Sequence, residues 1–442
     1  MNRSSALVLV ICFILLQTII DTLALSPLGR DGEGQDYYNK IYLRYENYIY
    51  ADNIKTVRLH RLGFEMSEPV LELNDNTTSL ELSFDDFGTT LKNYSFTVIH
   101  CDADWQPSDL NPFDYIEGFQ EQYIRDYQYS FGTYVQYTHY KVNFPNDNFK
   151  LTKSGNYLLK VYLDDPDSLV LVRRFMVTDL KVSVKGSVKR SSIVKNMDEQ
   201  HEVHFSILYS GYNIVNPIEE IKTVLVQNSR WDNAKTDLKP LFLKPNELVY
   251  DYTAETTFEA GNEFRYFDFQ NLRYYTDRVK TITYESKQNH VYLFSDKVRK
   301  YKSYISGRDI NGAYVIHVNL GNDSGVEADY AHVHFKLPYD EEIQGADVYI
   351  FGGLTDWRID TMYKMKYSAE NFSYDASIFL KQGYYEYEYV LVDDKGKIDD
   401  TYFEGSFYQT EDKYTVYVYH RQPGSRYDQL IGMEIFNSTG LY

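Results

Sequence analysis

Apolar and polar residues alternate along most of the chain with a period of two. In the stretch TSLELSFDD, Leu80, Leu82 and Phe84 share one face, while Glu81 and Ser83 share the other. This period is typical of antiparallel strands that bury one face. No stretch shows sustained helical periodicity with capping residues. The pattern therefore predicts an all-β protein.

The alternation recurs in the stretches GNYLLKVYLDD, EVHFSILYS and YTVYVYH, and turn residues such as Ser154-Gly155-Asn156 separate the strands. Many short strands with frequent turns predict tandem antiparallel β-sandwich domains of the immunoglobulin-like kind.

Changes in composition divide the chain further. A short apolar run, Ala6 to Leu16, follows Arg3 and precedes small residues, which predicts a signal peptide over 1–24. No later run is long enough for a transmembrane helix, so we expect an exported protein without direct membrane insertion. We expect this protein to be a monomer. The other predicted segments are an N-terminal sandwich at 35–178, a middle sandwich at 179–300, a linker or extension at 301–325, a C-terminal sandwich at 326–422 and a weakly structured tail at 423–442.

Composition narrows the set of partners. The formal net charge is −19, which argues against nucleic acid and anionic membranes. The 45 tyrosines suit half-buried sheet positions, but tyrosine is also enriched where proteins meet. Cys101 is alone once the leader is removed, so no internal disulfide can form and the folded state must depend on its core.

One stretch, HCDADWQPSDLNPFDYIEGF from His100 to Phe119, concentrates chemically interesting residues. Alternation directs His100 and Cys101 to opposite faces, which excludes a simple nucleophile–base pair. Asp102 and Asp104 are compatible with acid–base chemistry on an envelope polymer or with calcium binding, but the glycine turn and closing glutamate of a calcium loop are out of register. We expect no catalytic residues, no cofactor and no metal.

The same stretch, followed by YSFGTYVQYTHYKVNFPNDN and LTKSGNYLLKVYLDDPD, resembles the plug protein family of the type IX secretion system. The resemblance continues through GRDINGAYVIH, EADYAHVHFKL and VYIFGGLTDW and covers nearly all of the chain after the leader. It implies a non-enzymatic periplasmic protein that occludes the periplasmic opening of the outer-membrane translocon barrel when no cargo is in transit. The barrel is then the partner, and the protein is associated with the outer membrane only through it.

Aromatic residues in this stretch are candidates for binding that partner. We predict Trp105, Phe113 and Tyr115 as anchors, because projecting loops are often docking elements. A buried structural role for the loop is the alternative.

The C-terminal segment suggests a second function. DVYIFGGLTDW and KQGYYEYEYVLVDDKGKIDD are similar to the early-set sandwich of glycogen-binding modules. Trp357 stands at one platform position, whereas Lys395 and Lys397 occupy the region of the second. An envelope carbohydrate-binding protein is therefore the alternative function, and packing of Trp357 under the next strand is the alternative role for that residue.

Two histidine patterns complete the candidates. His332 and His334 share one strand face and would need a third ligand to hold a transition metal, so we favour a polar sheet face. The HEVH stretch at His201 is one residue shorter than the HExxH motif and reads as a strand, so we discard it as a metal site.

Overall fold

Residues 42–88 and 90–438 are described by a computed structural model of the chain, and nearly all of its regular structure is β-strand. Several sheets, antiparallel except for two parallel strand pairs, surround hydrophobic cores, which confirms the predicted all-β sandwich fold. The predicted signal peptide at 1–24 lies outside the described residues.

The first sandwich surrounds a core that contains Leu82, Phe84 and Leu159. Its first sheet has the order β1-β12-β11-β5-β7 with β3 beside β12, its second has the order β2-β4-β9-β8, and β6 pairs with β10. The elements are β1 (Tyr48–Ile49), β2 (Ile54–Arg61), β3 (Val70–Glu72), β4 (Leu80–Asp86), β5 (Tyr94–Cys101), α1 (Pro112–Tyr115), β6 (Ile116–Gly118), β7 (Gln122–Tyr123), β8 (Asp126–Tyr129), β9 (Thr138–Phe144), β10 (Phe149–Leu151), β11 (Gly155–Leu163) and β12 (Leu169–Thr178).

The second core contains Val203, Phe205 and Ile207, the alternating apolar residues of EVHFSILYS. Its strands are β13 (Ser183–Arg190), β14 (Gln200–Leu208), β15 (Ile221–Gln227), β16 (Phe242–Lys244), β17 (Glu247–Tyr250) and β18 (Thr257–Glu259), with α2 (Pro217–Glu220) before β15. All of these strands except β15 form one sheet.

The third core lies between the sheet β19-β27-β22, where β24 and β28 also pair with β27, and the sheet β20-β21-β23-β26-β25. The elements are β19 (Arg265–Asp268), β20 (Val279–Glu285), β21 (Gln288–Leu293), β22 (Tyr314–Ile316), α3 (Ser324–Glu327), β23 (Tyr330–Pro338), β24 (Ala346–Phe351), β25 (Lys366–Ser368), β26 (Ser373–Lys381), β27 (Gly383–Asp393) and β28 (Ile398–Asp399).

The end of the chain returns to the second core. Strands β29 (Lys413–His420) and β30 (Gln429–Asn437) form a sheet in the order β15-β29-β30. Val416, Val418 and Ile431 pack in the second core. The segment expected to be a weakly structured tail therefore contains a nine-residue strand, because β29 supplies hydrogen-bonding partners that the local sequence does not reveal.

The chain from Tyr45 onwards forms one compact unit, within which the three cores are distinguished. The division into three separate sandwich domains stays a prediction. The expected linker at 301–325 includes β22, which pairs with β27 in the third core.

A buried ion pair joins the first and third cores. The Lys381 ammonium at the end of β26 lies 2.6 Å from Oδ2 of Asp85 on β4, and both side chains are 1% exposed. The Tyr330 hydroxyl donates to the same oxygen at 2.6 Å, and His139 Nδ1 lies 2.6 Å from the other oxygen. Burial tends to raise the pKa of Asp85, but Lys381 and His139 outweigh it and hold this pKa below its usual value.

Candidate docking surface

The loop after β5 is attached to the C-terminal strands. Asp102 forms an ion pair of 2.6 Å with Arg421 and accepts a hydrogen bond of 2.9 Å from the Asp428 backbone. The Ala103 backbone N–H in turn donates to the Asp428 carboxylate at 3.0 Å. The loop thus ties the first sandwich to the turn between β29 and β30.

Trp105 lies in the same loop and is buried, with an exposed fraction of 4%. The Arg174 guanidinium lies 4.4 Å from its ring centroid, and the Trp231 ring meets it edge-on at 5.1 Å. Tyr115 is also buried, and its hydroxyl donates to the Val98 carbonyl at 3.2 Å. Both rings are buried in this structure, which is the placement expected of a structural role, and their part in partner binding stays a prediction.

Phe113 is the one predicted anchor that faces solvent. It lies in α1 with 84% of its surface exposed. Its role in partner binding stays a prediction.

The titratable residues from His100 to Asp104 form hydrogen bonds or ion pairs with different partners. His100 Nδ1 lies 2.8 Å from the Ser108 hydroxyl, and Nε2 lies 3.1 Å from the Ser154 carbonyl. Burial lowers the pKa of His100 to about 4 and raises that of the Cys101 thiol to about 12. The Asp104 carboxylate accepts from the backbone of Gln106, whereas Asp102 is paired with Arg421. His100, Asp102 and Asp104 therefore each have different hydrogen-bonding partners.

Trp357 has neighbours around its ring. Phe351 and Phe264 meet it edge-on at centroid distances of 5.4 and 5.8 Å, and the Arg230 guanidinium lies 5.3 Å from the ring centroid. The backbone of Gly312 approaches so closely that a β-carbon there would lie 2.5 Å from the ring. A ring that stacks on a sugar needs one open face, and these contacts around Trp357 argue against such a face. The sugar-binding role of Trp357 stays a prediction.

His332 and His334 lie beside His290 on neighbouring strands. Nδ1 of His290 and Nε2 of His334 are 3.0 Å apart, as in a hydrogen bond between the two rings. Burial and the neighbouring His290 lower the pKa of His334 to about 4. Over residues 42–88 and 90–438, no group of three or more His, Cys, Asp or Glu side chains is arranged to hold a metal ion.

An exposed aromatic segment runs along one edge of the first sandwich. We call it the aromatic rim, and its exposed fractions range from 39% at Tyr127 to 74% at Phe131. The rim follows α1, continues through β7 and β8 and ends before β9. Its members are Phe119, Tyr123, Tyr127, Tyr129, Phe131 and Tyr134.

Acidic side chains accompany the aromatic rim. Glu117, Glu121 and Asp126 are exposed along the same segment, and Arg125 is the one basic residue between them. Lys141 on β9 lies 3.8 Å from the Asp126 carboxylate, and the Tyr162 hydroxyl donates to Glu121. The remaining negative charge favours a partner that carries basic side chains.

The sequence contains a signal for the aromatic rim, because aromatic and polar residues alternate in DYQYSF from Asp126 to Phe131. That alternation is typical of any half-buried strand. Only the sheet order shows that β8 is an edge strand whose rings remain exposed.

A family model described as the first domain of the type 9 secretion system plug protein matches residues 54–179, which include most of the first sandwich. A crystal structure of a hypothetical protein from Parabacteroides merdae is 34% identical to the chain, with a TM-score of 0.86, and the match covers 89% of this chain and 100% of that protein. None of the curated proteins compared with the chain matches it.

Two further solved structures match weakly. The C-terminal domain of the antigen I/II-family protein AspA from Streptococcus pyogenes is 9% identical, with a TM-score of 0.15 over 86% of this chain and 99% of its own. Dimeric latent PorU from Porphyromonas gingivalis is also 9% identical, with a TM-score of 0.15 over 90% of this chain and 34% of its own. Scores this low support no conclusion about fold or function.

Across residues 42–88 and 90–438, no helix has the length and apolar character needed to cross a membrane.

Proposed function

The chain belongs to the type 9 secretion system plug protein family, and we propose that it occludes the periplasmic opening of the outer-membrane translocon of that system when no cargo is in transit. Family membership implies a location in the cell envelope and association with an outer-membrane component of the system. The proposed mechanism is steric: the folded chain occupies space in the opening and makes or breaks no bonds.

The observation that carries this proposal is the family match over residues 54–179. The matched sandwich also bears the aromatic rim, a surface of the kind that proteins use to meet one another. The loop at Asp102 and the ion pair at Asp85 attach that sandwich to the second and third cores, which supports a body that binds as a unit.

Reversible closure requires that cargo or its carriers favour a different state of the translocon. A ligand shifts such an equilibrium only by binding one state better than the other. A docking surface of moderate affinity allows release, whereas a very tight surface would keep the pore closed.

The test is a conductance measurement on purified translocon in a planar lipid bilayer. Addition of this protein to the periplasmic side should reversibly reduce the conductance, and addition to the opposite side is the matched control. Co-purification with a tagged translocon from cargo-free cells establishes binding independently. Binding without a change in conductance would contradict the sealing function, and failure to co-purify would contradict the association itself.

A further inference from the structure

Strand β8 forms one edge of its sheet, and its outer side has no strand partner within the described part of the chain. The Ser130 N–H donates to the Tyr137 carbonyl of the neighbouring β9 side at 2.9 Å. The backbone N–H and C=O groups of successive residues in an antiparallel strand point alternately toward and away from the neighbouring strand. Because those of Ser130 point toward β9, those of Tyr127 and Tyr129 point away from it. The Phe131 N–H, which also points outward, already donates to the Val326 carbonyl at 2.8 Å.

The side chains at this edge continue the core of the first sandwich to the surface. A chain of ring contacts leads outward from the core. The ring centroids are 5.3 Å apart for Phe84 and Tyr140, which are stacked, 5.9 Å for Tyr140 and Tyr127, and 6.0 Å for Tyr127 and Tyr129. Phe84 and Tyr140 are fully buried, whereas 64% of Tyr129 is exposed. An added strand would cover the outer rings as the neighbouring strands cover the inner ones.

The two edges of this sheet differ in their protection against pairing. Strand β2, at the opposite edge, carries Lys55, Arg58 and Arg61. Such cationic side chains are a common means by which natural edge strands avoid association. Strand β8 contains no lysine, arginine or proline, and its one charged residue is Asp126.

We propose that β8 receives an extended segment of the outer-membrane translocon component as an added β-strand. Apolar side chains of that segment cover Tyr127 and Tyr129, and a basic side chain lies beside the exposed carboxylate of Asp126, from which Lys141 Nζ is 3.8 Å away. The inference rests on the proposed function for the identity of the partner. It follows the general mode in which backbone hydrogen bonds give affinity and alternate side chains give specificity.

The added strand is short. Strand β8 has four residues, and the bond from Phe131 to Val326 ends the open edge on one side. A contact of this length supplies few backbone hydrogen bonds, which suits a plug that must be released.

Substitutions at Tyr129 separate the ring from the backbone donor. Tyr129→Ala removes only the ring, whereas Tyr129→Pro also removes the outward N–H, a change that edge strands tolerate. We expect Tyr129→Ala to weaken binding to the purified translocon by about tenfold. Tyr129→Pro should weaken it by roughly a further fivefold, because one backbone hydrogen bond is withdrawn. Tyr301→Ala, at a tyrosine that is 88% exposed elsewhere, is the matched control and should bind as the wild type does.

The readout is binding of the full mature chain to purified translocon, with thermal unfolding to verify that each variant is folded. A photo-crosslinking residue at position 129 should give an adduct with the translocon, and the same residue at 301 should not. The added-strand proposal would be overturned if both Tyr129 variants bound with the affinity of the unmodified protein, or if the crosslink joined two copies of this chain. In either case, binding of the unmodified protein to the translocon would still support the proposed function. Absence of binding by the wild type would overturn both.

Discussion

At the scale of single residues, the stretch after β5 places similar side chains in opposite environments. Trp105 and Tyr115 are 4% and 3% exposed, whereas Phe113 is 84% exposed. The local sequence correctly predicted a loop that contains aromatic residues. The burial of Trp105, however, depends on Trp231 and Arg174, which are distant in sequence. The role of each ring could therefore not be predicted from the stretch alone.

Replacement of Trp105 should reveal this difference. Trp105→Ala leaves a cavity between Arg174 and Trp231, and we expect a loss of about 3–5 kcal/mol in the free energy of unfolding. Phe113→Ala, the matched control, should change it by less than about 0.5 kcal/mol. Urea denaturation followed by tryptophan or tyrosine fluorescence and by circular dichroism measures both, and equal losses would contradict the assigned environments.

Glu386 on β27 is a buried carboxyl group with an unusual titration. It accepts hydrogen bonds from the backbone N–H groups of Ile310 and Gly312 at 2.8 and 3.0 Å. Burial, followed by the nearby Asp309, raises the pKa of Glu386 to about 8. The folded state therefore holds this proton more tightly than the unfolded state does.

Stability should consequently fall as the pH rises. The contribution of the protonated Glu386 is fully present below about pH 4.5, the unfolded value, and is lost as the pH rises through about 8. Glu386→Gln cannot ionise, so its free energy of unfolding should decline less than that of the wild type between these values. Urea denaturation at a series of pH values tests this expectation, and parallel pH profiles for the two proteins would contradict it.

At the scale of elements, strands with clean alternation were predicted from sequence and strands defined by distant partners were not. Leu80, Leu82 and Phe84 are all fully buried in β4, as their spacing predicted. Strand β30 was missed because Gly432 and Glu434 interrupt its apolar residues. Its formation depends on pairing with β29, and no local pattern encodes that pairing.

Removal of β30 should therefore disrupt the second core. A chain that ends at Asp428 loses Ile431 from the core and leaves one side of β29 unpaired. We expect it to lose cooperative thermal unfolding and to bind a hydrophobic dye. Glu434→Gln, at an exposed position on the same strand, should unfold as the wild type does. A truncated chain with a wild-type unfolding transition would show that β30 is dispensable.

At the scale of the whole molecule, buried polar contacts connect the cores. Asp85 on β4 and Lys381 on β26 are 296 residues apart in sequence and fully buried together. Removal of one charge leaves the other in a low-dielectric environment, which is far less favourable than removal of both.

A double-mutant cycle tests this connection. Lys381→Met should reduce the free energy of unfolding by about 3–5 kcal/mol, because the Asp85 carboxylate loses its principal cation. The double variant Asp85→Asn/Lys381→Met should be less destabilised than Lys381→Met alone. Chemical denaturation of the four proteins gives the coupling free energy, and a value near zero would show that the pair contributes no mutual stabilisation.

The sheet that joins β15 to β29 and β30 has a consequence for biosynthesis. Residues 221–227 precede their partners at 413–420 by almost two hundred residues along the chain. The first sandwich, whose strands all lie before residue 179, has every part of its sheets as soon as that length has been made. If the chain enters the envelope from its N-terminal side, as an exported chain does, the second core cannot close until residues 413–437 have followed. Its apolar surface stays exposed until then, and chaperones of the envelope have their greatest opportunity in that interval.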